Sequence, residues 1–437
     1  YADNIQGLAE SNELMSEVKG VCEESDVVIA VLGLDAGLEG EEGDQGNQFA
    51  SGDKPNLKLP GHQEEVLKAC VESGKPVVLV LLGGSALAVN YADEHASAIL
   101  EAWYPGARGG EAVARALFGE TNPQGKLPVT FYYSDRDLPE FTDYAMKGRT
   151  YRYMEKEALY PFGYGLSYTT FTQKIDSMTE ADGTITLDVT VTNTGSVAGK
   201  DAVQVYFNPP YTDGGIEKAS ANLVTFGKTD SIEPGASQTL TLTFNTEDMA
   251  SFDSKDKGCY VLEEGDYIIS INEDSHTVLD SKTYNVASTI VYDESNPRST
   301  DAEAATTKFD FADDKLVTLS RADHFANYAE AVAAPSDYTM SEESMSTLYN
   351  DHNWTPEDFN DPNDEMPVTG ANNGLKLADL RGADYDDERW DTLLDQMTVT
   401  EMDDLIALGG YQTKAEASVD KYATIDCDGP AAINNNF

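Results

Sequence analysis

The chain has 437 residues, and its 78 acidic residues against 29 basic ones give a formal net charge of −49. A surface with so large a negative charge repels nucleic acid and acidic polymers, which excludes those partner classes and leaves neutral or cationic ones. The length is sufficient for two to four domains.

The sequence gives little evidence of a targeting segment, a disulfide framework or a zinc site. No apolar run approaches the roughly 20 residues of a membrane-spanning helix, and no signal peptide is visible. The chain starts at Tyr1 without a methionine, so we expect both ends to be cut. Cys22 and Cys70 fall on or beside predicted helices, which is typical of buried small apolar residues rather than of a disulfide framework or a zinc site.

An alternation of strands and helices is predicted for residues 1–165. The apolar run Val27–Leu32 is rich in Val and Ile and ends at a glycine, which is typical of a buried parallel strand. Further strands are predicted at Pro76–Leu82 and Ala98–Trp103, with helical segments between the strands. This order predicts a mostly parallel sheet with helices on both faces.

The loop after the first strand, Gly33–Asp44, is rich in glycine and acidic residues. Its carboxylates belong to Asp35, Glu39, Glu41, Glu42 and Asp44. Ligands of open α/β sheets bind outside the carboxyl ends of the strands, so this loop is in a position to carry chemistry. Taken alone, the same cluster is more typical of a solvated surface loop.

Residues 166–292 change to a period of two. Apolar and polar residues alternate in Ile185–Val191 and in Leu240–Phe244, and turn residues occur at Asn193-Thr194-Gly195 and Pro234-Gly235. This pattern predicts an antiparallel β-sandwich. The segment has no catalytic constellation, and we interpret it as a structural support.

The last third of the sequence has two parts. Residues 293–385 are acidic and weakly periodic, which fits either a linker or a layer wrapped over other domains. From residue 386 the pattern is helical again, and Thr398 with Glu401 forms a capping box. A short strand then ends in an Asp428-Gly429-Pro430 turn, which would hold the Asp428 carboxylate in one place.

Four runs occur in a fixed order along the chain. They are the acidic loop with Leu57–Gly61, Trp103–Gly110, Asn122–Phe131 and Tyr160–Tyr168. In this order and spacing they resemble glycoside hydrolase family 3, which includes β-glucosidases and β-xylosidases. The resemblance implies four regions. They are an α/β sandwich domain with the acid/base loop at 1–165, a fibronectin type III-like β-sandwich at 166–292, an acidic connecting region at 293–385, and the start of a (β/α)₈ catalytic barrel at 386–437.

The order of these regions departs from the common plan of the family, in which the barrel comes first. Here Trp390–Ile433 resembles the start of the barrel and follows the fibronectin-like domain, and Ser320–Phe325 also resembles the branch with inverted order. The resemblance implies a nucleophilic aspartate late in the barrel, typically followed by tryptophan, and no matching Asp-Trp pair occurs here. We expect the nucleophile beyond Phe437, in continuous, cleaved or separate sequence.

The acid/base residue is assigned by resemblance to family loops that read Glu-x-Glu-Gly-x-Asp. Glu41 takes the place of the second glutamate, with Glu42 and then Glu39 as alternatives. Glu42 stands where glycine is more usual, and Gln45 stands where arginine often follows. Crowded carboxylates raise one another's pKa, which suits a proton donor but does not select the member of the cluster.

Asp428 resembles the aspartate that binds sugar hydroxyls in the −1 subsite of the family. The resemblance implies no cofactor and no catalytic metal. A calcium site at Asp44, Asn47 and Asp53 is the less favoured interpretation, because these residues lack EF-hand spacing. The histidines have no ligand-like spacing, and we interpret His62, His95 and His324 as surface or structural residues.

The leading hypothesis is a retaining exo-acting β-glycosidase, in first place a β-glucosidase. A β-xylosidase or mixed glucosidase/arabinosidase is the alternative within the class, and a non-catalytic carbohydrate-binding or scaffolding chain is the alternative outside it. The expected partners are a neutral β-linked oligosaccharide or glycoside and the remaining barrel, with no nucleic acid, and a homodimer is left open. An extracellular or cell-surface location fits the acidity.

Overall fold

The computed structural model describes residues 12–35, 54–308, 316–334, 338–348, 355, 357, 361–410 and 412–425. The chain divides into two compact units, Tyr1–Asp337 and Tyr338–Phe437.

Unit 1 begins with an α/β domain. Its helices and strands are α1 (Asn12–Glu24), β1 (Val28–Gly33), α2 (Gln63–Glu72), β2 (Val77–Leu82), α3 (Asn90–His95), β3 (Ala98–Glu101), α4 (Gly109–Leu117), a 3₁₀ turn (Asp135–Asp137) and α5 (Thr150–Tyr153).

The sheet of this domain is parallel, as predicted. Its described strands lie in the order β1-β2-β3, with Val28 opposite Val77 and Leu79 opposite Ile99. Helices α1 and α2 pack against each other, and α2 packs on β1. The core between these elements is aliphatic, and its most buried members include Leu67, Leu79, Leu81 and Leu87.

The first strand is less buried than predicted. Ala30 and Leu32 face the core, whereas Ile29 and Val31 are 48% and 53% exposed. Side chains alternate between the two faces of a strand, so β1 contributes only one face to the core. The apolar run therefore marks the strand correctly but overstates its burial.

The two cysteines of this domain are buried in the same core, as predicted. Cys22 of α1 and Cys70 of α2 lie in the core where these two helices pack together. Burial, followed by the neighbouring Cys22, raises the pKa of the Cys70 thiol to about 12. The Cys70 side chain is therefore a neutral packing group at ordinary pH.

The second domain of unit 1 is an antiparallel β-sandwich. Its elements are β4 (Phe171–Ala181), β5 (Thr184–Asn193), β6 (Ala202–Asn208), β7 (Asn222–Lys228), β8 (Ser237–Asn245), a 3₁₀ turn (Thr246–Met249), β9 (Ser251–Asp253), β10 (Cys259–Leu262), β11 (Gly265–Asn272), β12 (Val278–Val286) and β13 (Ile290–Tyr292).

The strands of the sandwich form sheets in the orders β4-β5-β8, β12-β11-β6-β7 and β13-β10-β9 within the described residues. The predicted alternation is confirmed in β5, where Ile185, Leu187, Val189 and Val191 are fully buried. Their polar neighbours form cross-strand pairs on the outer face, such as Thr190 with Thr239 at 2.9 Å. Period-two patterning therefore determines which face of this sheet is core.

Part of the connecting region, residues 316–334, packs on the two domains of unit 1. After a turn at Ala322–His324 and helix α6 (Tyr328–Ala331), the segment contacts both domains of the unit. Phe325 is buried, the Tyr328 hydroxyl donates to Asp143 of the α/β domain, and Arg321 donates to the Lys218 carbonyl of the sandwich. Residues 316–334 are therefore a layer packed over the two domains rather than a free linker.

Unit 2 is small and mainly helical. Its elements are α7 (Glu342–Leu348), a 3₁₀ turn (Leu377–Leu380), α8 (Arg389–Leu394), α9 (Val399–Ala407), β14 (Gln412–Thr413), a 3₁₀ turn (Ala417–Val419) and β15 (Thr424–Ile425). Leu380, Leu393, Met397 and Val419 form its core.

The predicted capping box of unit 2 is confirmed. The Thr398 hydroxyl accepts from the Glu401 amide, and the Glu401 carboxylate accepts from the Thr398 amide at 2.8 Å. Strand β15 pairs antiparallel with β14. The predicted Asp428-Gly429-Pro430 turn lies outside the described residues.

Candidate functional site

The carboxyl end of β1 is fixed by a glycine. Gly33 has a φ of +130°, and a Cβ atom at this position would lie 1.8 Å from the Leu82 carbonyl oxygen. The next residue, Leu34, is buried and donates its amide to that same carbonyl at 2.8 Å. Only glycine fits a backbone that leaves the strand so close to its neighbour, so the acidic segment has one defined starting direction.

The same glycine is bound by a buried amide side chain. The Gln63 Oε1 atom accepts from the Gly33 amide at 2.6 Å, and Gln63 Nε2 donates to the Gly33 carbonyl at 2.8 Å. Gln63 is the first residue of α2 and is 2% exposed. It therefore joins the exit of β1 to the start of the helix that follows the acidic loop.

The returning part of the loop is held along the exit of β2. The Ala88 amide donates to the Leu57 carbonyl at 2.6 Å, and Lys54 Nζ donates to the Ala86 carbonyl at 2.5 Å. Leu59 is buried in the domain core. Residues 54–61 are therefore placed at the carboxyl edge of the sheet, where ligands of open α/β sheets bind.

A surface depression of about 360 Å³ lies at this edge. It is lined by Lys58, Leu59, Gly61, Glu64, Glu65, Ala88, Asn90, Tyr133, Ser134 and Asp135. Asn90 Nδ2 donates to the Tyr133 carbonyl at 2.9 Å, which joins two walls of the depression. Carboxylates, an ammonium group, an amide and a phenol in one concavity provide donors and acceptors for a polyhydroxylated ligand.

The third strand ends in a carboxyl group with an unusual environment. Burial raises the pKa of Glu101 to about 7, against the opposing effect of a hydrogen bond from the Trp103 amide at 2.9 Å. Trp103 has a φ of +52°, and its ring packs edge-on against Phe131 with centroids 6.3 Å apart. A glutamate that titrates near neutrality at the ligand-binding edge was not singled out from the sequence.

The predicted site residues fall mainly outside the described part of the chain. This applies to Glu39, Glu41, Glu42 and Asp428, and equally to the calcium alternative at Asp44, Asn47 and Asp53. Asp35 is described and is exposed at the start of the loop. The described residues therefore define both ends of the acidic segment, while the identity of the acid/base remains a prediction.

The three histidines singled out in the sequence occupy surface or structural positions. His62 Nδ1 lies 3.4 Å from Glu65, His95 stacks on Tyr91, and His324 is exposed beside Glu155 at 2.8 Å. A search of the described residues finds no group of three or more His, Cys, Asp or Glu side chains that could hold a metal ion. The same part of the chain has no helix that is long and apolar enough to cross a membrane.

Sequence reasoning also missed Gln63. It reads as an ordinary polar residue at a helix start, and its burial depends on Gly33, a residue 30 positions away. The signal that could have identified it is a glutamine two residues after the Leu59-Pro60-Gly61 turn, where a helix packs its first residue against the preceding strand.

The fold defines a class: an α/β domain with a parallel sheet, followed by an antiparallel sandwich. Residues 1–168 match the glycosyl hydrolase family 3 C-terminal domain, and residues 201–275 match the fibronectin type III-like domain. Residues 1–168 are therefore a C-terminal domain of glycoside hydrolase family 3.

Curated relatives are similar over the same region. A xylan 1,4-beta-xylosidase from Xylanibacter ruminicola is 42% identical over 249 residues, which are 56% of this chain and 28% of the relative. A periplasmic beta-glucosidase from Salmonella typhimurium is 34% identical over 281 residues, 61% of this chain and 35% of the relative. The chain spans about a third of the length of the curated relatives that it matches.

A solved structure supports the fold. The beta-glucosidase from Kluyveromyces marxianus, determined in complex with glucose, superimposes with a TM-score of 0.56 at 27% identity. The match covers 64% of this chain and 34% of the other.

Proposed function

We propose that this chain carries the proton-donating half of a retaining exo-β-glycosidase that releases a terminal β-D-glucosyl residue. The observation that carries the proposal is the acidic segment after β1, whose two ends are fixed at the ligand-binding edge of a family 3 C-terminal domain. The β-glucosidases and β-xylosidases among the relatives support a glycosidase.

The proposed chemistry uses two carboxyl groups about 5–5.5 Å apart. Glu41 donates its proton to the glycosidic oxygen while an aspartate of the barrel attacks the anomeric carbon, which breaks the glycosidic bond and forms a glycosyl-enzyme ester. Glu41 then removes a proton from water, and the resulting attack on the anomeric carbon restores both carboxyl groups. Glu42 and Glu39 are the alternative donors.

In this proposal the barrel begins at residues 386–437. Its remainder lies in sequence that is either continuous with this chain or separate from it. The capped helix α9 and the short strand β15 precede Asp428 in the order that the sequence predicts for this segment. In this proposal Asp428 accepts hydrogen bonds from two hydroxyls of the sugar in the −1 subsite, which suits a neutral substrate. The reaction so described uses no cofactor.

A xyloside substrate is the second candidate, because the 42%-identical relative is a xylan 1,4-beta-xylosidase. The test is kcat/KM of the whole enzyme on matched aryl β-glucosides and β-xylosides. A glucosidase prefers the glucosides, and a preference for the xylosides would move the assignment to the second candidate.

The proton donor is tested by Glu41→Gln in the whole enzyme. We expect kcat/KM to fall by roughly 10²–10⁴-fold on a phenyl glycoside and far less on a dinitrophenyl glycoside, whose leaving group needs no proton. Azide is expected to restore part of the turnover by attacking the glycosyl-enzyme. Glu42→Gln and Glu39→Gln are the matched controls, and if one of them shows this pattern instead, that residue is the donor.

We also propose an extracellular or cell-surface location. The strongly acidic composition and the periplasmic β-glucosidase among the relatives support it. Fractionation of the native cells with an antibody against this chain tests the location, and recovery in the cytoplasmic fraction would contradict it.

A further inference from the structure

The outer edge of β1 has a hydrogen-bonding requirement at its last residue. Val28 and Leu34 donate their amides toward β2, to the Pro76 and Leu82 carbonyls. Backbone groups alternate in direction along a strand, so the amide and carbonyl of Gly33, an odd-numbered residue, point away from β2. Both groups are in a buried position and need another partner.

The Gln63 side chain supplies that partner for both groups. Its amide donates to the Gly33 carbonyl and accepts from the Gly33 N–H, which is the pattern that a further strand would provide. Because the side chain is almost fully buried, water cannot readily replace either bond. The distance between the exit of β1 and the start of α2 is therefore set by one side chain.

We propose that Gln63 is a positioning residue for the acid/base carboxyl group. This inference rests on the proposed function, in which Glu41 lies on the segment between Gly33 and Gln63. The Gln63–Gly33 pair fixes the two ends of that segment relative to each other, and it touches neither the sugar nor the nucleophile. Its loss alters the placement of the proton donor and leaves the attack on the anomeric carbon intact.

This separation of roles predicts a dependence on the leaving group. Cleavage of a phenyl glycoside requires proton donation to a poor leaving group, whereas a dinitrophenolate departs without it. A displaced donor slows the first reaction and spares the second. A mutation that only loosens the fold reduces the amount of active enzyme and slows both reactions by the same factor.

The test is Gln63→Met in the whole enzyme, which keeps the length of the side chain and removes both hydrogen bonds. We expect kcat/KM on the phenyl glycoside to fall roughly 10- to 100-fold, because misplacement by about 1 Å costs about that much. The fall on the dinitrophenyl glycoside is expected to stay below about threefold. The basic limb of the pH profile is expected to move, since it reports the acid/base group.

The matched control is Gln204→Met in the sandwich. Gln204 is also buried and donates to the carbonyls of Gly163 and Glu273, both at 3.0 Å. We expect it to lower stability without changing the ratio of the two substrates or the pH profile. Gln63→Glu, which keeps an acceptor for the Gly33 amide, serves as the milder variant if Gln63→Met does not fold.

The outcomes separate the inference from the function on which it rests. Equal losses on both substrates in the Gln63 variants, with an unmoved pH profile, would overturn the positioning role while wild-type activity stands. If the wild-type enzyme hydrolyses neither substrate class, the proposed function itself is wrong. If Glu41→Gln shows the leaving-group dependence and Gln63→Met does not, the donor is assigned and Gln63 is only structural.

Discussion

Two buried glutamines, one in each unit, bind both backbone groups of a single distant residue. Gln63 in unit 1 binds Gly33, and Gln396 in unit 2 accepts from the Leu375 amide at 2.9 Å and donates to the Leu375 carbonyl at 2.8 Å. Gln396 is 4% exposed and also donates to the Ser418 carbonyl at 3.1 Å. The same amide chemistry thus joins two segments in unit 1 and three in unit 2.

The difference lies in what each glutamine holds. Gln396 lies just after α8 and gathers irregular segments around a small core, where it substitutes for regular secondary structure. Gln63 binds the edge of a regular sheet, at a glycine whose geometry admits no side chain. A buried amide side chain can therefore pair backbone groups that would otherwise lack a partner. Whether it also affects function depends on the segment whose ends it joins.

A second contrast concerns two glutamates whose pKa values are shifted in opposite directions. Burial raises the pKa of Glu101 in the α/β domain to about 7. Backbone hydrogen bonds from Thr398 and then Ser418 lower the pKa of Glu401 in unit 2 to about 2. The first side chain is half-buried and loses hydration, and the second belongs to a helix capping box, so the charged form of the same residue type destabilises one fold and stabilises the other.

The largest effect is expected from Gly33→Ala. The added Cβ would overlap the Leu82 carbonyl at 1.8 Å, and the φ of +130° is strained for any L-residue. We expect a loss of more than about 3 kcal/mol in the free energy of unfolding, measured by urea denaturation. Gly20→Ala in α1 is the control, since a Cβ there meets no atom within 4 Å and alanine favours helix by about 0.5–1 kcal/mol.

A wild-type-like Gly33→Ala variant would mean that the exit of β1 can shift away from β2. The acidic segment would then have no fixed starting direction, and Gln63 would differ from Gln396 in no way that bears on function.

The next effect tests the glutamine comparison directly. Gln63→Met removes the partner of one backbone amide and one carbonyl, and Gln396→Met that of one amide and two carbonyls, so each is expected to lower the free energy of unfolding by about 3 kcal/mol or more. Thermal and urea unfolding followed by circular dichroism measure both variants. A loss in one variant and none in the other would show that one of the backbone pairs is solvated after all.

The smallest effect concerns pH. The folded pKa of Glu101 lies above its ordinary value of 4.5, so stability is expected to fall as the pH rises from about 4.5 to 7. The Glu101→Gln variant should lack this fall and gain roughly 2 kcal/mol at neutral pH, as measured by urea unfolding across the pH range.

Glu401 should behave in the opposite way. Its folded pKa lies below 4.5, so its contribution is present above that pH and is lost as the pH falls toward about 2. Glu401→Gln is expected to be less stable than wild type at neutral pH and to converge with it in acid. Parallel pH curves for the two variants would contradict the assigned environments.

Much of the fold was predictable because it follows from local periodicity. Parallel strands at the two Val/Ile-rich runs, the alternating strands of the sandwich and the capping box at Thr398 all depend on residues close in sequence. Burial was predicted less well. Ile29 and Val31 are as apolar as buried strand residues, but their exposure depends on what lies over that face of the sheet.

The candidate site shows the same division. The sequence by itself determined the family-like loop, its carboxylates and its place after a strand, because motif and spacing are properties of neighbouring residues. Only the tertiary structure decided that Gln63 binds Gly33 and that Glu101 is half-buried beside Trp103. Hydrogen bonding and desolvation depend on groups brought together by folding from distant positions, and no local pattern encodes those distances.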